Sequence, residues 1–291
     1  MDLRLLRYFV AVAEELHFGR AAARLHMSQP PLSRAVRALE ADLGATLLDR
    51  SPAGVRLTEA GAVLLGEARS LLEQAERTRT RVAAAGGDQV LSVGILADSA
   101  EHVGASLAAA YRQRQPGVAV NVRGFDLCDP SAGLRQGLVD VAITRAPFDE
   151  TGLTTRVLGA EPVSVILVQD DPLAGEEFVR LGDLAGRTWF RFPEGTDQAW
   201  SAYWAGDHPD RRQGPVVRTV AECLHAVRWN SAVGLGPLTH DLPEGLTSVP
   251  VLDMAPSRLL LAWPSRSCNP LVASFVALAA AVHHQDHHPA R

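Results

Sequence analysis

Residues 28–40 read Ser28-Gln29-Pro30-Pro31-Leu32-Ser33-Arg34-Ala35-Val36-Arg37-Ala38-Leu39-Glu40, and this stretch decides the N-terminal fold. Leu32, Val36, Leu39 and Leu43 recur at i, i+4, i+7 and i+11, which predicts a helix to about Leu43 with one buried face. Ser28 is a favoured N-cap, and the prolines fit a first turn, where amides have no helical partner. Ser33, Arg34 and Arg37 fall away from the apolar face. Upstream, Leu3, Leu6, Val10 and Ala13 give an apolar stripe and predict a helix over Asp2–Glu15. An Ala-rich second helix fits Gly19–Leu25.

A helix, a tight turn and a second helix with a polar N-terminal face suit insertion into a DNA major groove. Gln29 can offer a bidentate amide to a base edge, and Arg34 can reach a guanine or a phosphate. Free amides at the helix N-terminus favour phosphate. A small helical bundle with solvated arginines fits the same periodicity.

Downstream, residues 44–57 read as a hairpin about the turn Ser51-Pro52-Ala53-Gly54, bracketed by Arg50 and Arg56. Such a hairpin can act as a wing against DNA backbone, or Arg50 can simply pair with Asp49. Thr58 is a good N-cap for a following helix. Leu64, Ala68, Leu71, Ala75, Thr78 and Val82 then form a coiled-coil-like seam. A helix over residues 58–85 would extend ~42 Å. A second copy of the chain is the natural partner for that seam; packing on the C-terminal part is the alternative.

Charge divides the 291 residues. Residues 1–85 carry 12 arginines and 10 acidic residues, net +2, while the remainder carries 16 and 23, net -7. The overall -5 therefore does not argue against a nucleic-acid partner. Cys128, Cys223 and Cys268 form no zinc pattern and no Cys-x-x-Cys pair, so free thiols in a cytoplasmic setting are expected. No apolar run approaches the ~20 residues of a membrane span, and the first residues carry no secretory pattern. Gly86-Gly87-Asp88 marks a boundary, and His283 to His288 read as a loose, solvated tail. The chain lacks lysine, a Gly-x-Ser-x-Gly elbow, a phosphate-binding Gly-rich loop and a His-Glu-x-x-His helix. No enzyme, cofactor or metal is expected.

The run from Ser28 to Glu40, then Leu43-Gly44, Leu47-Leu48-Asp49-Arg50 and Leu57-Thr58-Glu59-Ala60-Gly61, closely resembles the LysR-type transcriptional regulators. Arg7-Tyr8-Phe9, Phe18, Ala21-Ala22 and Leu25 fit the same pattern. The resemblance implies an α+β multidomain chain. Its parts would be a winged helix-turn-helix at residues 1–58, a dimerising linker helix at 59–87 and an effector-binding domain at 88–291. That domain would have two α/β lobes like a periplasmic solute-binding protein, lobe one about 88–160 and 264–283, lobe two about 161–263. It further implies promoter DNA, a small-molecule effector and a homodimer or homotetramer as partners. DNA contacts are then expected from Ser28, Gln29, Pro30, Pro31, Ser33, Arg34, Arg37, Arg50 and Arg56. A solute-binding protein without sequence-specific DNA regulation is the rival.

Strand and helix patterns alternate after residue 88, which suggests mostly parallel sheets. Strands are expected at 90–95, 118–123, 139–144, 163–168, 188–192, 216–220 and 259–263, with helices at 99–114, 131–136, 196–204, 221–230 and 271–282. Ligands in such lobes lie at strand carboxyl ends and helix N-termini. Asp98, Ser99, Asp126, Leu127, Cys128, Thr144 and Arg145 occupy such places in lobe one, and Phe192 and Thr196 in lobe two. Arg145 can pair a carboxylate effector bidentately. Ser99 can instead only cap a helix, and Arg145 only brace a hinge. Asp98 and Asp126 weigh against an anion. The run Trp229 to Leu238 departs from the family's Ala-Gly-x-Gly-Ile-like segment, and Trp229 is expected to fill space that a ligand would take.

Overall fold

The computed structural model describes residues 2–51, 54–85, 89–97, 101–206, 211–238 and 241–286. The chain forms two compact units, Met1–Ala85 and Gly86–Arg291.

In the first unit α1 (Leu3–Glu15), α2 (Phe18–Arg24) and α3 (Gln29–Leu43) precede a hairpin, β1 (Leu48–Ser51) and β2 (Gly54–Leu57), and the long α4 (Glu59–Ala85). Local chemistry sets the boundaries. Asp2 caps α1 by accepting from the Arg4 amide, and His17 Nδ1 caps α2 by accepting from Gly19 and Arg20. Gly44 ends α3 at φ 64°, the left-handed cap that glycine adopts without strain. Thr58 accepts from the Gly61 amide at 3.0 Å and so caps α4. A Cβ on Gly61 would lie 2.1 Å from the Leu47 carbonyl oxygen, so only glycine lets α4 start against the hairpin. Leu6, Phe9, Val12, Leu32, Val36 and Leu39 are fully buried in one core.

The helix α4 is not left without a core of its own. Ala68 is fully buried, Leu64 and Leu71 pack on the three-helix core, and Arg69 reaches Glu14 of α1 at 2.8 Å. The seam opens to solvent farther along, where Val82 is 66% exposed. Burial works to raise the Glu14 pKa, but the hydrogen bonds from Arg69 and Arg24 hold the carboxyl below its ordinary value.

The second unit holds β3 (Val90–Leu96), α5 (Glu101–Arg114), β4 (Ala119–Phe125), β5 (Val141–Ala146), β6 (Leu153–Glu161), β7 (Val163–Val168), β8 (Thr188–Arg191), α6 (Gln198–Trp204), β9 (Arg212–Val216), α7 (Val220–Asn230), β10 (Ala232–Pro237), β11 (Leu246–Pro250), β12 (Ser257–Pro264) and α8 (Pro270–Asp286). They build two five-stranded sheets, ordered β4-β3-β5-β12-β6 and β11-β7-β10-β8-β9, one per lobe. Each sheet has two parallel and two antiparallel pairings, so the sheets are mixed where the sequence suggested mostly parallel ones. The chain crosses between lobes at Pro162 and again after Pro250. The expectation that lobe two runs to residue 263 is corrected: β12 lies inside the lobe-one sheet between β5 and β6.

The predicted strand at 216–220 is replaced by β9, which ends at Val216, because Thr219 and Glu222 form the capping box that starts α7. The predicted helix at 131–136 is a series of turns. The Asp129 carboxylate takes the Ser131 and Gly133 amides, and Ala132 and Gly133 sit at φ 45° and 84°. Among the described residues no helix is long and apolar enough to cross a membrane.

Candidate functional sites: the α3 face and the interlobe pocket

The first site lies on α3. Its buried Leu32, Val36 and Leu39 fix the rotation of the helix, which leaves Arg34 and Arg37 exposed on the other side, while Gln29 is exposed because it is the first residue of the helix. Ser28 occupies the N-cap position with an extended backbone but makes no cap hydrogen bond. The cause is in the sequence: an N-cap side chain accepts from the second or third helical amide, and here those residues are Pro30 and Pro31. The hydroxyl of Ser28 is exposed instead. The same prolines remove two of the amides on which the expectation of phosphate binding at this helix end rested. Pro30 is exposed, while Pro31 and Ser33 are half-buried.

The hairpin packs beside α3 through Glu40, whose Oε1 accepts from the Leu47 and Leu48 amides at 2.9 and 3.2 Å. Arg56 is exposed on β2, directly across from Asp49. Arg50 pairs with Val55 in the strand register; its side chain and the turn residues Pro52 and Ala53 lie outside the described residues.

The second site lies between the lobes of the second unit. A small pocket, with a cavity volume of about 60 Å³, is lined by Leu127 and Arg145 from lobe one and mainly by Phe190, Phe192, Trp200, Trp204, Cys223 and Leu235 from lobe two. Phe192 stands edge-on to Phe190, with ring centroids 5.5 Å apart, and Trp200 to Trp204 is 5.4 Å. Arg145 is 3% exposed and is held by Glu161 at 2.7 Å and by Ser257 at 3.3 Å. It therefore both lines the pocket and braces the hinge beside Pro162.

The lobes meet near the pocket. The Leu127 amide donates to the Arg218 carbonyl at 2.8 Å, Arg218 pairs with Asp126 at 3.4 Å, and Thr196 lies beside the Cys128 thiol. Burial, with Asp126 beside it, pushes the Cys128 thiol up to about 11; burial, with Glu222 beside it, pushes Cys223 up to about 12. Both are neutral thiols at physiological pH.

The structure thus gathers Asp126, Leu127, Cys128, Arg145, Phe192 and Thr196 around one interlobe region. Thr144 does not join them: it is fully buried and its hydroxyl donates to the Pro130 carbonyl. Asp98 and Ser99 lie outside the described residues. Trp229 is 75% exposed at the end of α7 and is not part of the lining of this pocket, contrary to expectation. The same run nevertheless supplies Leu235, Gly236 and Pro237 of β10 to the lining. The tryptophans were missed, although Trp200 and Trp204 stand four apart in a predicted helix and so share one face.

Residues 3–62 match the model of the bacterial regulatory helix-turn-helix protein, lysR family, and residues 84–283 match the LysR substrate binding domain. The HTH-type transcriptional regulator AlsR of Bacillus subtilis is 35% identical over 191 residues, so the match spans 63% of this chain and 62% of that protein. The Hca operon transcriptional activator HcaR of Escherichia coli is 31% identical over 290 residues, 96% of this chain and 97% of that one. Among solved structures, full-length CbnR complexed with its target DNA is similar at 27% identity and a TM-score of 0.51, covering 97% of this chain and 100% of that chain.

Proposed function

The chain belongs to the LysR family of transcriptional regulators, and on that premise we propose that it binds promoter DNA as a cytoplasmic homo-oligomer and answers to a small molecule held between its effector-domain lobes. One observation carries the DNA half: Arg34 and Arg37 stand exposed on the face of α3 opposite its buried Leu32, Val36 and Leu39, and Gln29 is exposed at the helix's first position. Gln29 and Arg34 read base edges, Ser28, Arg37 and Ser33 contact phosphate, and Arg50 and Arg56 of the wing contact backbone. Pro30 and Pro31 shape the helix entry. With a net charge of only +2 in residues 1–85, affinity comes from where these few arginines sit and from doubling the site.

Exposure of the distal α4 seam supports pairing with a second copy. A ligand that favours one lobe arrangement shifts the geometry of the DNA-bound oligomer by its differential affinity. No catalysis is assigned. Arg34→Ala tests the proposal in a gel-shift assay on DNA upstream of the protein's own gene. At least a tenfold loss is expected, about one good base or phosphate contact per half-site. Unchanged binding would reject α3 as the reading helix.

A further inference from the structure

We propose that Asp197 is a latch that holds the two lobes of the second unit together and ties their closure to the start of α6. The proposal rests on the assignment of the interlobe pocket as the effector site and names what keeps that site shut.

The two oxygens of this carboxylate have partners in different lobes. Oδ1 accepts from the Trp200 amide at 2.9 Å, which caps α6 in lobe two. Oδ2 accepts from the Asp149 amide at 2.8 Å, in the lobe-one loop between β5 and β6. An N-cap needs one acceptor oxygen, so the second is available to reach across. The receiving loop is fixed on its own lobe. Arg135 pairs with the Asp149 carboxylate at 2.9 Å and donates to the Asp149 carbonyl, and the Thr151 amide donates to the same carboxylate at 2.9 Å.

The helix α6 is the element that such a latch controls. Its Trp200 and Trp204 are 2% and 5% exposed, line the pocket, and belong to one buried core with Leu96, Leu134 and Leu138 of lobe one. Tyr203 of the same helix donates to the Ala255 carbonyl at 2.6 Å, in the segment that follows the second crossing. The cavity between the lobes is about 60 Å³, against ~300–1,000 Å³ for an ordinary ligand pocket. A ligand of ordinary size enters only when the lobes part, and parting them breaks the bond from Asp149 to Asp197. Such a ligand binds the unlatched arrangement better and shifts the population toward it.

Asp197→Ser separates the latch from the cap. Serine is a favoured N-cap, so α6 keeps its start, but its one oxygen leaves the Asp149 amide without an acceptor. Two measurements follow the full chain. In amide hydrogen exchange read by mass spectrometry, the Asp149 amide should exchange about tenfold faster in Asp197→Ser, the loss of one charge-assisted hydrogen bond, while the α6 amides keep their rates. In iodoacetamide labelling at pH 7.5, the half-buried Cys223 of the pocket lining should react about tenfold faster as the lobes part more often. Exposed Cys268 should keep its rate and serves as the internal control. Asp197→Asn has the size of the native residue with one acceptor oxygen in place of two. It should raise the Cys223 rate as well, and it carries the test if Asp197→Ser does not fold. Unchanged Cys223 labelling in a folded variant would overturn the latch. So would faster exchange in α6 without faster exchange at Asp149, the mark of a cap alone. The unmodified chain is assayed in parallel for retardation of upstream DNA. Retardation together with unchanged labelling in the variants rejects the latch alone, whereas no retardation rejects the proposed function.

Discussion

Replacing Glu40 by alanine should unfold the joint between the reading helix and the wing. The Glu40 carboxylate accepts from the Leu47 and Leu48 amides at 2.9 and 3.2 Å, and those two residues are 1% and 2% exposed. Each buried amide left without an acceptor costs ~1–3 kcal/mol. Glu40 itself is half-buried, so water can partly replace it, and the pair sums to about 2–4 kcal/mol. Glu40→Gln keeps an acceptor and gives up only the charge assistance, about 1 kcal/mol. The assay has an internal control, because all 5 tryptophans lie in the second unit. Urea unfolding followed by far-ultraviolet circular dichroism should show the N-terminal helices melting earlier in Glu40→Ala, while the tryptophan fluorescence transition stays in place. Operator affinity should fall in Glu40→Ala and largely survive in Glu40→Gln. A dichroism transition unmoved within ~0.5 kcal/mol, or a fluorescence transition that moves equally, would refute the assignment of Glu40 as the tether.

Other consequences follow from single contacts. Burial raises the Asp140 carboxyl pKa while the Ser92 amide donates to it at 2.8 Å. The folded state therefore binds the proton more tightly than the unfolded state, and the charged form costs stability at neutral pH. Asp140→Asn should raise the melting temperature at pH 7, with the gain shrinking as pH falls through the raised carboxyl value; Asp140→Ala, which orphans the Ser92 amide, should lower it. Gly94→Ala puts a Cβ 2.2 Å from the Ala132 carbonyl oxygen in the centre of a buried strand, and should destabilise the second unit by about 1–3 kcal/mol in a denaturant titration. Cys268 is exposed whereas Cys128 and Cys223 titrate near 11 and 12, so iodoacetamide at pH 7.5 should label Cys268 first in a mass-resolved time course.

The first unit was largely legible because its signals are local. Gly44 and Thr58 end and start helices through their own backbone and hydroxyl chemistry, and Leu32, Val36 and Leu39 repeat at the helical period. Ser28 shows the limit of that logic: a residue type that favours a cap does not make one when its two acceptor-seeking amides are prolines. The sheet order of the second unit was not legible. That β12 returns between β5 and β6 is a long-range pairing with no local mark, and β6, β10 and β11 were not anticipated at all. For the same reason Arg145 could be placed at a strand end but not against Glu161, 16 residues on. Trp200 and Trp204 were not singled out in the sequence, because only the fold brings them to the wall of the pocket.

The central claim is that this chain reads promoter DNA through α3. Footprinting the full chain on the DNA upstream of its own gene tests it most directly. A protected tract that weakens steeply with salt and vanishes in Arg34→Ala is the predicted result. Absence of protection at micromolar protein and low salt, or a footprint indifferent to Arg34→Ala, would contradict it.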